Sequence, residues 1–363
     1  MKFSFFFFCL LIYTFSFAQE DQNWYVFFNQ DSTKAGFKNS NGQIQIEPKF
    51  EPFMLNPVFK NVIAVREYAA DNTGKTYYLN KNGRKFGQDS VYIFDFNYAQ
   101  ESDGKIKFKD YKTDKVGFFN INGKITIPAI YNEAGDFIDG IALVYRDGKR
   151  WCYDNDSANQ TNCEHFGWNG NRNFVINDKN KILFEIVDYK NGNAAVDYTK
   201  FKVNQKVDSD IYNSYKGSDG NSYSFYSPEK DFEKWFSSKF IPDFKQNKTV
   251  LPKYLYQLIS SDDNDDLQQN TAWKNYTKED YLKRKQKDIN EIFSKLVSKE
   301  FQKSVSWETS TNYLYFPENR LPEEDLRSNT VINFLARPEN DYSAENSFQF
   351  TKIGNEFYIT SAP

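Results

Sequence analysis

The sequence contains few side chains of the kinds that perform catalysis. His165 is the only histidine among 363 residues. This excludes histidine-rich zinc sites, the HExxH motif and most histidine-activated nucleophiles, unless His165 itself is the base. Cys163 lies close to it, but two residues apart in an extended segment share a face without forming a nucleophile–base pair. We therefore interpret His165 as a surface or internally hydrogen-bonded histidine. The GxSxG, P-loop and GxGxxG motifs are absent.

The acidic run Asp262-Asp263-Asn264-Asp265-Asp266 spaces its side-chain oxygens as a calcium loop would. An EF-hand would continue with Gly and carry Glu at its twelfth position, where this chain has Leu267 and Trp273. The run is therefore predicted to be a solvated loop, and we expect no metal and no cofactor.

Aromatic side chains are the remaining candidates for ligand contact. They make up 18% of the chain, with 36 Phe and 25 Tyr, and glycan-binding modules use exposed Trp or Tyr rings as platforms. Trp168 lies in the segment Gly167-Trp168-Asn169-Gly170, and of the aromatic residues its position is the least determined by a recognised sequence pattern. The predicted binding residues are Trp168, Trp151, Tyr77 and Tyr78, with Trp24 as a further spare aromatic.

The N-terminus has the features of a signal peptide. Lys2 is followed by the apolar stretch 3–15, and Ser16-Phe17-Ala18 forms a small-x-small cleavage site. We expect cleavage after Ala18 and export to the periplasm or the cell exterior. Cys9 lies inside the apolar stretch, which argues against a lipoprotein anchor. The stretch is too short to span a bilayer comfortably, and nothing later in the chain reaches that length.

Export bears on the two remaining cysteines, because disulfides persist outside the cytosol. Cys152 and Cys163 flank a short polar segment and are predicted to form a disulfide. Two separately buried thiols are the alternative, and geometry decides between them.

One sequence motif recurs along the first half of the chain. Two apolar runs flank an Asn-Gly turn in segments 34–50 and 115–131, with a weaker copy at 75–85, so the turn glycines are Gly42, Gly83 and Gly123. Asn-Gly between such runs is typical of a β-hairpin. The even spacing predicts antiparallel hairpin repeats with a period of about 40 residues.

This motif resembles the bacterial WG (KWG) repeat. The pattern of that repeat is Gly-aromatic, an Asn/Asp-x-x-Gly-Lys turn, an Ile/Val run ending in Pro, an aromatic residue, and then Gly-x-Ala-x-Val. Segment 117–149 matches nearly every position, with Phe118 in place of Trp, and 36–65 matches with Asn61 where the second segment has Gly140. Fainter copies begin near Lys149 and at 175–183, where Asn180 replaces the turn glycine. The resemblance implies a mainly β repeat region over 19–226 but no reaction. Phe37 and Phe118 are predicted to pack between repeats rather than contact a ligand.

After Tyr226 the pattern changes to that of an α+β domain over 227–363. Ser227-Pro228 is predicted to begin a helix that ends at Pro242, Thr277 to begin one that reaches about Phe301, and a further short helix to cover 254–259. Strands are predicted at 305–316, 331–336, 348–353 and 356–360, the last two joined by a Gly354-Asn355 turn. This element order is loosely similar to NTF2-like domains.

The formal net charge of −3 gives no electrostatic case for nucleic-acid binding. We expect an exported binding or scaffolding protein whose β-repeat surface contacts a protein or polysaccharide of the cell envelope, without an integral membrane span. The alternative is a cell-envelope hydrolase or small-ligand-binding protein with its site in the C-terminal domain. Its candidate carboxylates would be Glu308, Glu318, Glu323 and Glu324. A buried carboxyl with a raised pKa in a pocket would favour the enzyme, and an exposed aromatic strip along the repeats would favour the binder.

Overall fold

The computed structural model describes residues 22–68, 73–154, 163, 165–170, 172–187, 189–190, 193–194, 197–262, 273–310, 329–339, 341 and 345–363. The chain divides into two compact units, an N-terminal unit over Met1–Glu185 and a C-terminal unit over Ile186–Pro363. The expected signal peptide lies outside the described residues. The predicted boundary between repeats and α+β domain, at 226/227, stays a prediction.

The N-terminal unit is built from short β-strands. In chain order they are β1 (Trp24–Phe28), β2 (Ala35–Asn39), β3 (Ile44–Phe50), β4 (Val58–Phe59), β5 (Val62–Tyr68), β6 (Gly74–Asn80), β7 (Lys85–Phe86), β8 (Ile93–Phe94), β9 (Asn97–Tyr98), β10 (Lys105–Asp110), β11 (Lys115–Asn120), β12 (Ile125–Tyr131), β13 (Glu133–Ala134), β14 (Ile141–Arg146), β15 (Lys149–Cys152), β16 (Phe166–Asn169), β17 (Arg172–Asn177) and β18 (Ile182–Ile186).

The C-terminal unit mixes strands and helices. It contains β19 (Tyr189–Lys190), β20 (Asn193–Ala194), β21 (Asp197–Val203), β22 (Tyr212–Lys216), β23 (Ser222–Tyr226), α1 (Pro228–Trp235), a π-helical segment (Phe236–Phe240), α2 (Ile241–Gln246), a 3-10 turn (Lys248–Val250), α3 (Leu251–Tyr254), β24 (Leu255–Asp262), β25 (Trp273–Thr277), α4 (Lys278–Ser298), β26 (Phe301–Ser310), β27 (Asn329–Pro338), β28 (Asn346–Ile353) and β29 (Glu356–Ser361).

The largest sheet of the N-terminal unit has the strand order β4-β1-β2-β3-β5-β6-β7. Its strands β5 and β6 are buried on both faces along residues 62–65 and 77–80. Successive residues of a strand point to opposite faces, so Tyr77 and Tyr78 of β6 enter different cores. Tyr77 packs with Phe37, Phe50 and Phe59. Tyr78 joins the larger core that extends to β10–β12, β14 and β17.

The same turn closes four hairpins. The Oδ1 atom of Asn39, Asn80, Asn120 and Asn177 accepts from the backbone N–H groups two and four residues further on, at 2.9–3.1 Å. Three residues after each Asn the backbone is left-handed. Gly occupies that place in the first three turns and Asn180, with φ 61°, in the fourth. The prediction that Asn180 replaces the turn glycine is confirmed. The fourth turn follows after a longer interval than the others, so the turns do not establish a constant period.

The glycine before each repeat aromatic is required by a close approach of backbone. β2–β3 and β11–β12 share the same register irregularity, in which one strand bulges against its partner. A Cβ on Gly36 would lie 2.4 Å from the carbonyl oxygen of Ile46, and one on Gly117 would lie 2.6 Å from that of Ile127. Real Cβ atoms do not approach backbone so closely, which explains the Gly-aromatic pair. Phe37 and Phe118 are buried. Phe37 contacts the ring of Phe59 and Phe118 that of Phe137, each within its own repeat copy, so their packing between repeats stays a prediction.

Aromatic packing holds the C-terminal unit together. Phe232, Trp235, Phe240 and Phe293, from the helices, pack on Phe350 and other residues of the six-stranded sheet β25-β24-β29-β28-β27-β26. The predicted helix starts at Ser227 and Thr277 are confirmed, since both side chains cap the following N–H groups. Ile353 pairs with Glu356 across the predicted Gly354-Asn355 turn.

Two predictions for this unit were inaccurate. Residues 255–259, expected to be helical, open strand β24, because Leu255 pairs with Ile359 and Ile259 with Tyr276. A short apolar run fits either structure, and pairing with β29 and β25 decides it. The helix expected to stop at Pro242 continues to Gln246, because Pro242 stands in the first turn of α2, where no N–H is needed.

Among the described residues, no helix combines the length and apolar character needed to cross a membrane. Cys152 and Cys163 are joined by a disulfide with Cα atoms 5.9 Å apart.

Replacing Gly117 by Ala should destabilise the fold far more than replacing Gly42 by Asn. We expect a loss of about 2–4 kcal/mol for Gly117→Ala, because the new methyl group meets backbone that cannot move aside. Gly42→Asn should cost less than about 1 kcal/mol, because its site is open and Asn180 adopts the equivalent conformation. Denaturant unfolding measures both, and equal losses would contradict the close-approach account.

Replacing both Cys152 and Cys163 by Ala should lower the free energy of unfolding by about 3 kcal/mol, since the bridge closes a short loop in the unfolded chain. Reducing agent should lower the stability of the wild type and leave the double variant unchanged. Alkylation of both cysteines in the unreduced, folded protein would refute the bridge.

Candidate binding site

The structure places the predicted aromatic residues in different environments. Tyr78 is 0% exposed, and its hydroxyl donates to the carbonyl of Lys107 (2.6 Å) and accepts from the N–H of Tyr92 (2.8 Å). Tyr78 therefore has no free face for a ligand, and the expectation that it forms a binding platform was wrong. Both faces of β6 are buried over residues 77–80, which the sequence pattern did not reveal.

Trp151 and Trp168 lie on the hairpin β15–β16, apart from the sheet that carries Tyr77. Both are partly buried. Trp168 pairs with Arg150 across the hairpin, and the Lys115 ammonium lies 5.3 Å from the centre of its ring. The structure does not bring this ring together with Tyr77.

Of the candidate catalytic side chains, the structure describes that of His165. The His165 side chain is exposed, with Nδ1 2.7 Å from Oδ1 of Asp154. Several candidates lie outside the described part of the chain: Glu318, Glu323, Glu324, the side chain of Glu308 and most of the acidic run 262–266.

Tyr77 lies in an open cleft of about 490 Å³ at the end of β5, β6 and β7. Its hydroxyl donates to the carboxylate of Glu67, which also accepts from Lys85 Nζ at 2.8 Å. Lys49 Nζ lies 3.5 Å from the other carboxylate oxygen. The Lys85 ammonium is 4.5 Å from the centre of the Tyr77 ring. We call Glu67, Tyr77, Lys85 and Lys49 the charged cluster.

The charged cluster holds its carboxylate ionised. Partial burial would raise the pKa of Glu67, but hydrogen bonds from Lys85 and Tyr77 and the charge of Lys49 outweigh it and lower the pKa to about 2. Burial and the hydrogen bond to Glu67 raise the pKa of Tyr77 to about 12. At neutral pH neither group exchanges a proton readily. The cluster is suited to binding through fixed charges rather than to proton transfer.

A second cavity of about 260 Å³ adjoins the cleft and shares Lys75 and Gln88 with it. Tyr111 lines this cavity with 54% of its surface exposed, and its hydroxyl donates to the carbonyl of Val91 at 2.7 Å. The bond fixes an exposed ring in place. We call the two cavities together the groove.

Exposed aromatic rings continue beyond the groove. Phe94 is 67% and Phe96 69% exposed, in the hairpin β8–β9, and the ring of Phe96 lies 6.2 Å from that of Phe53. Asp95 and Phe96 form the two-residue turn with φ of 46° and 57°. Bulky residues rarely adopt this conformation, and Asn-Gly would suit it better. We call Phe53, Phe94 and Phe96 the aromatic patch.

The sequence patterns missed most of these residues. Glu67 and Lys75 face each other directly in the β5–β6 register, but no turn motif fixed that register. Asp95-Phe96 does not resemble a hairpin turn. The one usable signal was the excess of Lys around Tyr77.

Lowering the pH should remove the stabilising effect of Glu67. Because folding lowers its pKa from 4.5 to about 2, the contribution is complete above pH 4.5 and declines as the pH falls toward 2. We expect Glu67→Gln to cost about 1–2 kcal/mol at pH 6, a discounted value because its lysine partners are exposed to solvent. The cost should shrink at pH 3. Exposed Glu47→Gln is the control, and a pH-independent cost of Glu67→Gln would contradict the assignment.

Comparison with known families identifies one part of the N-terminal unit. The family model of the WG containing repeat matches residues 117–149, the segment from Gly117 through β12 and β14 to Lys149. No curated protein and no solved structure matches the chain.

Proposed function

We propose that this chain is an exported binding or scaffolding protein, and that its N-terminal β-rich region binds a protein or polysaccharide of the cell envelope. The observation that carries the proposal is the distribution of exposed apolar side chains. Among the described residues, the large hydrophobic side chains that are exposed lie in the N-terminal unit, with Val187 as the exception. Clustered exposed apolar surface is typical of interaction sites.

Equivalent positions of the two strongest repeat copies support a regular binding face. Ile44 and Ile125 each stand two residues after the turn glycine, and they are 51% and 53% exposed. A repeat array with a period of about 40 would present such side chains in a row. The WG repeat match and the four similar turns support this array, which we extend to residues 19–226.

Export is part of the proposal and is supported by the sequence of the first eighteen residues. The disulfide between Cys152 and Cys163 agrees with an oxidising compartment. For the C-terminal unit, we propose an NTF2-like arrangement on the order of its elements alone.

Capture from the producing cell's envelope extract tests the binding face. The immobilised full chain should retain a defined component, and the Phe94→Asn/Phe96→Asn variant should retain at least about tenfold less, because central aromatic contacts dominate interfaces. Asn also suits the left-handed backbone at position 96, so the variant should fold. Phe28→Asn, which removes an exposed ring outside the patch, is the matched control.

Protease and periodate treatment of the extract separates protein from glycan partners. Equal retention by the wild type and the Phe94/Phe96 variant would refute the role of the aromatic patch. Retention of nothing by the folded wild type would refute the proposed function.

A further inference from the structure

The two cavities of the groove share two polar side chains. Lys75 and Gln88 line both cavities and are exposed. Within the described part of the chain, neither side chain makes a hydrogen bond or an ion pair. Because this ammonium group and this amide have no partner among the described residues and line both cavities, they are available to a ligand that spans both.

The charge of the first cavity favours an anionic ligand. Lys75 and Lys85 line this cavity together with one carboxylate, that of Glu67, and the Lys49 ammonium lies 3.5 Å from that carboxylate. That carboxylate is already bound by Lys85, Lys49 and the Tyr77 hydroxyl. Within the first cavity the positive charge of Lys75 is therefore in excess, on a chain whose formal net charge is −3. A ligand carboxylate at Lys75 would gain a charge-assisted hydrogen bond.

The second cavity favours a sugar over a simple anion. The Tyr111 ring is exposed and held by its hydroxyl, which gives a rigid apolar surface for the face of a sugar ring. Asp89 is exposed and lines the same cavity, where its carboxylate can accept hydrogen bonds from hydroxyl groups. An acidic peptide would bring few hydroxyl groups to this acceptor.

We propose that the groove binds an acidic polysaccharide, with a uronic-acid carboxylate at Lys75 and a neighbouring sugar ring on Tyr111. This proposal rests on the binding function proposed above and names the class of its ligand. Exposed Ile93 lines the second cavity and begins the hairpin that carries Phe94 and Phe96 of the aromatic patch. The groove and the patch would therefore contact one extended polymer.

Titration calorimetry on the full chain tests the ligand class. The probes are heptameric oligogalacturonate, neutral maltoheptaose and a heptaglutamate peptide. Oligogalacturonate should bind at least about tenfold more tightly than the other two, and its affinity should fall several-fold between 50 and about 500 mM salt as exposed charges are screened.

Three variants locate the ligand in the groove. Lys75→Gln should weaken binding about fivefold, the effect of losing one exposed ion pair. Lys124→Gln, which removes an exposed lysine elsewhere, should change nothing. Glu67→Gln should tighten binding about twofold to fivefold, because it removes the negative charge while keeping an acceptor for Tyr77. A purely structural role for Glu67 could not produce this tightening.

Several results would overturn the proposal. Equal affinity for maltoheptaose would exclude selection by charge, equal affinity for heptaglutamate would exclude a glycan-specific site, and equal effects of Lys75→Gln and Lys124→Gln would exclude the groove. If the chain binds none of the probes but still captures an envelope component through the aromatic patch, this inference fails and the proposed function stands. If that capture also fails, both this inference and the proposed function are refuted.

Discussion

Two hairpins of the N-terminal unit depend on the absence of a side chain at one position in each. The backbone of the bulged strand lies where a Cβ of Gly36 or Gly117 would be, so these positions admit glycine alone without displacement of the strand. The next residue points to the opposite face. There Phe37 packs edge-on against Phe59, and Phe118 against Phe137. The Gly-aromatic pair thus joins a tight hairpin to a buried ring.

The groove lies where the buried part of strand β6 ends. Along β6 the residues from Tyr77 to Asn80 are buried, while Gly74 and Lys75 before them are exposed. The core stops at the hydroxyl of Tyr77, which donates to the carboxylate of Glu67. Lys85 and Lys49 in turn pair with that carboxylate. Such a network is partly exposed and contributes modestly to stability. Its more specific consequence is a fixed arrangement of charges beside the ammonium group of Lys75, which is unpaired among the residues that the structure describes.

Local features of the fold could be predicted well from the sequence, whereas contacts between distant segments could not. Asn-Gly turns, helix caps at Ser227 and Thr277, and the burial of Phe37 and Phe118 follow from local chemistry, and the structure has them. The segment 255–259 was misassigned because its strand pairing involves residues about a hundred positions away. Tyr78 was misjudged because period-two alternation does not tell whether both faces of a sheet are covered. The groove could not be foreseen, since it needs the β5–β6 register and the approach of Lys49 from another strand.

Hydrogen–deuterium exchange of the full chain, free and with its captured envelope component, tests the central claim that binding occurs at the groove and the aromatic patch. The account predicts added protection in peptides that cover 74–98 and 105–111, and none across 197–262 or 273–310. Protection confined to the C-terminal unit would contradict it and would place the binding site among the helices and the six-stranded sheet instead.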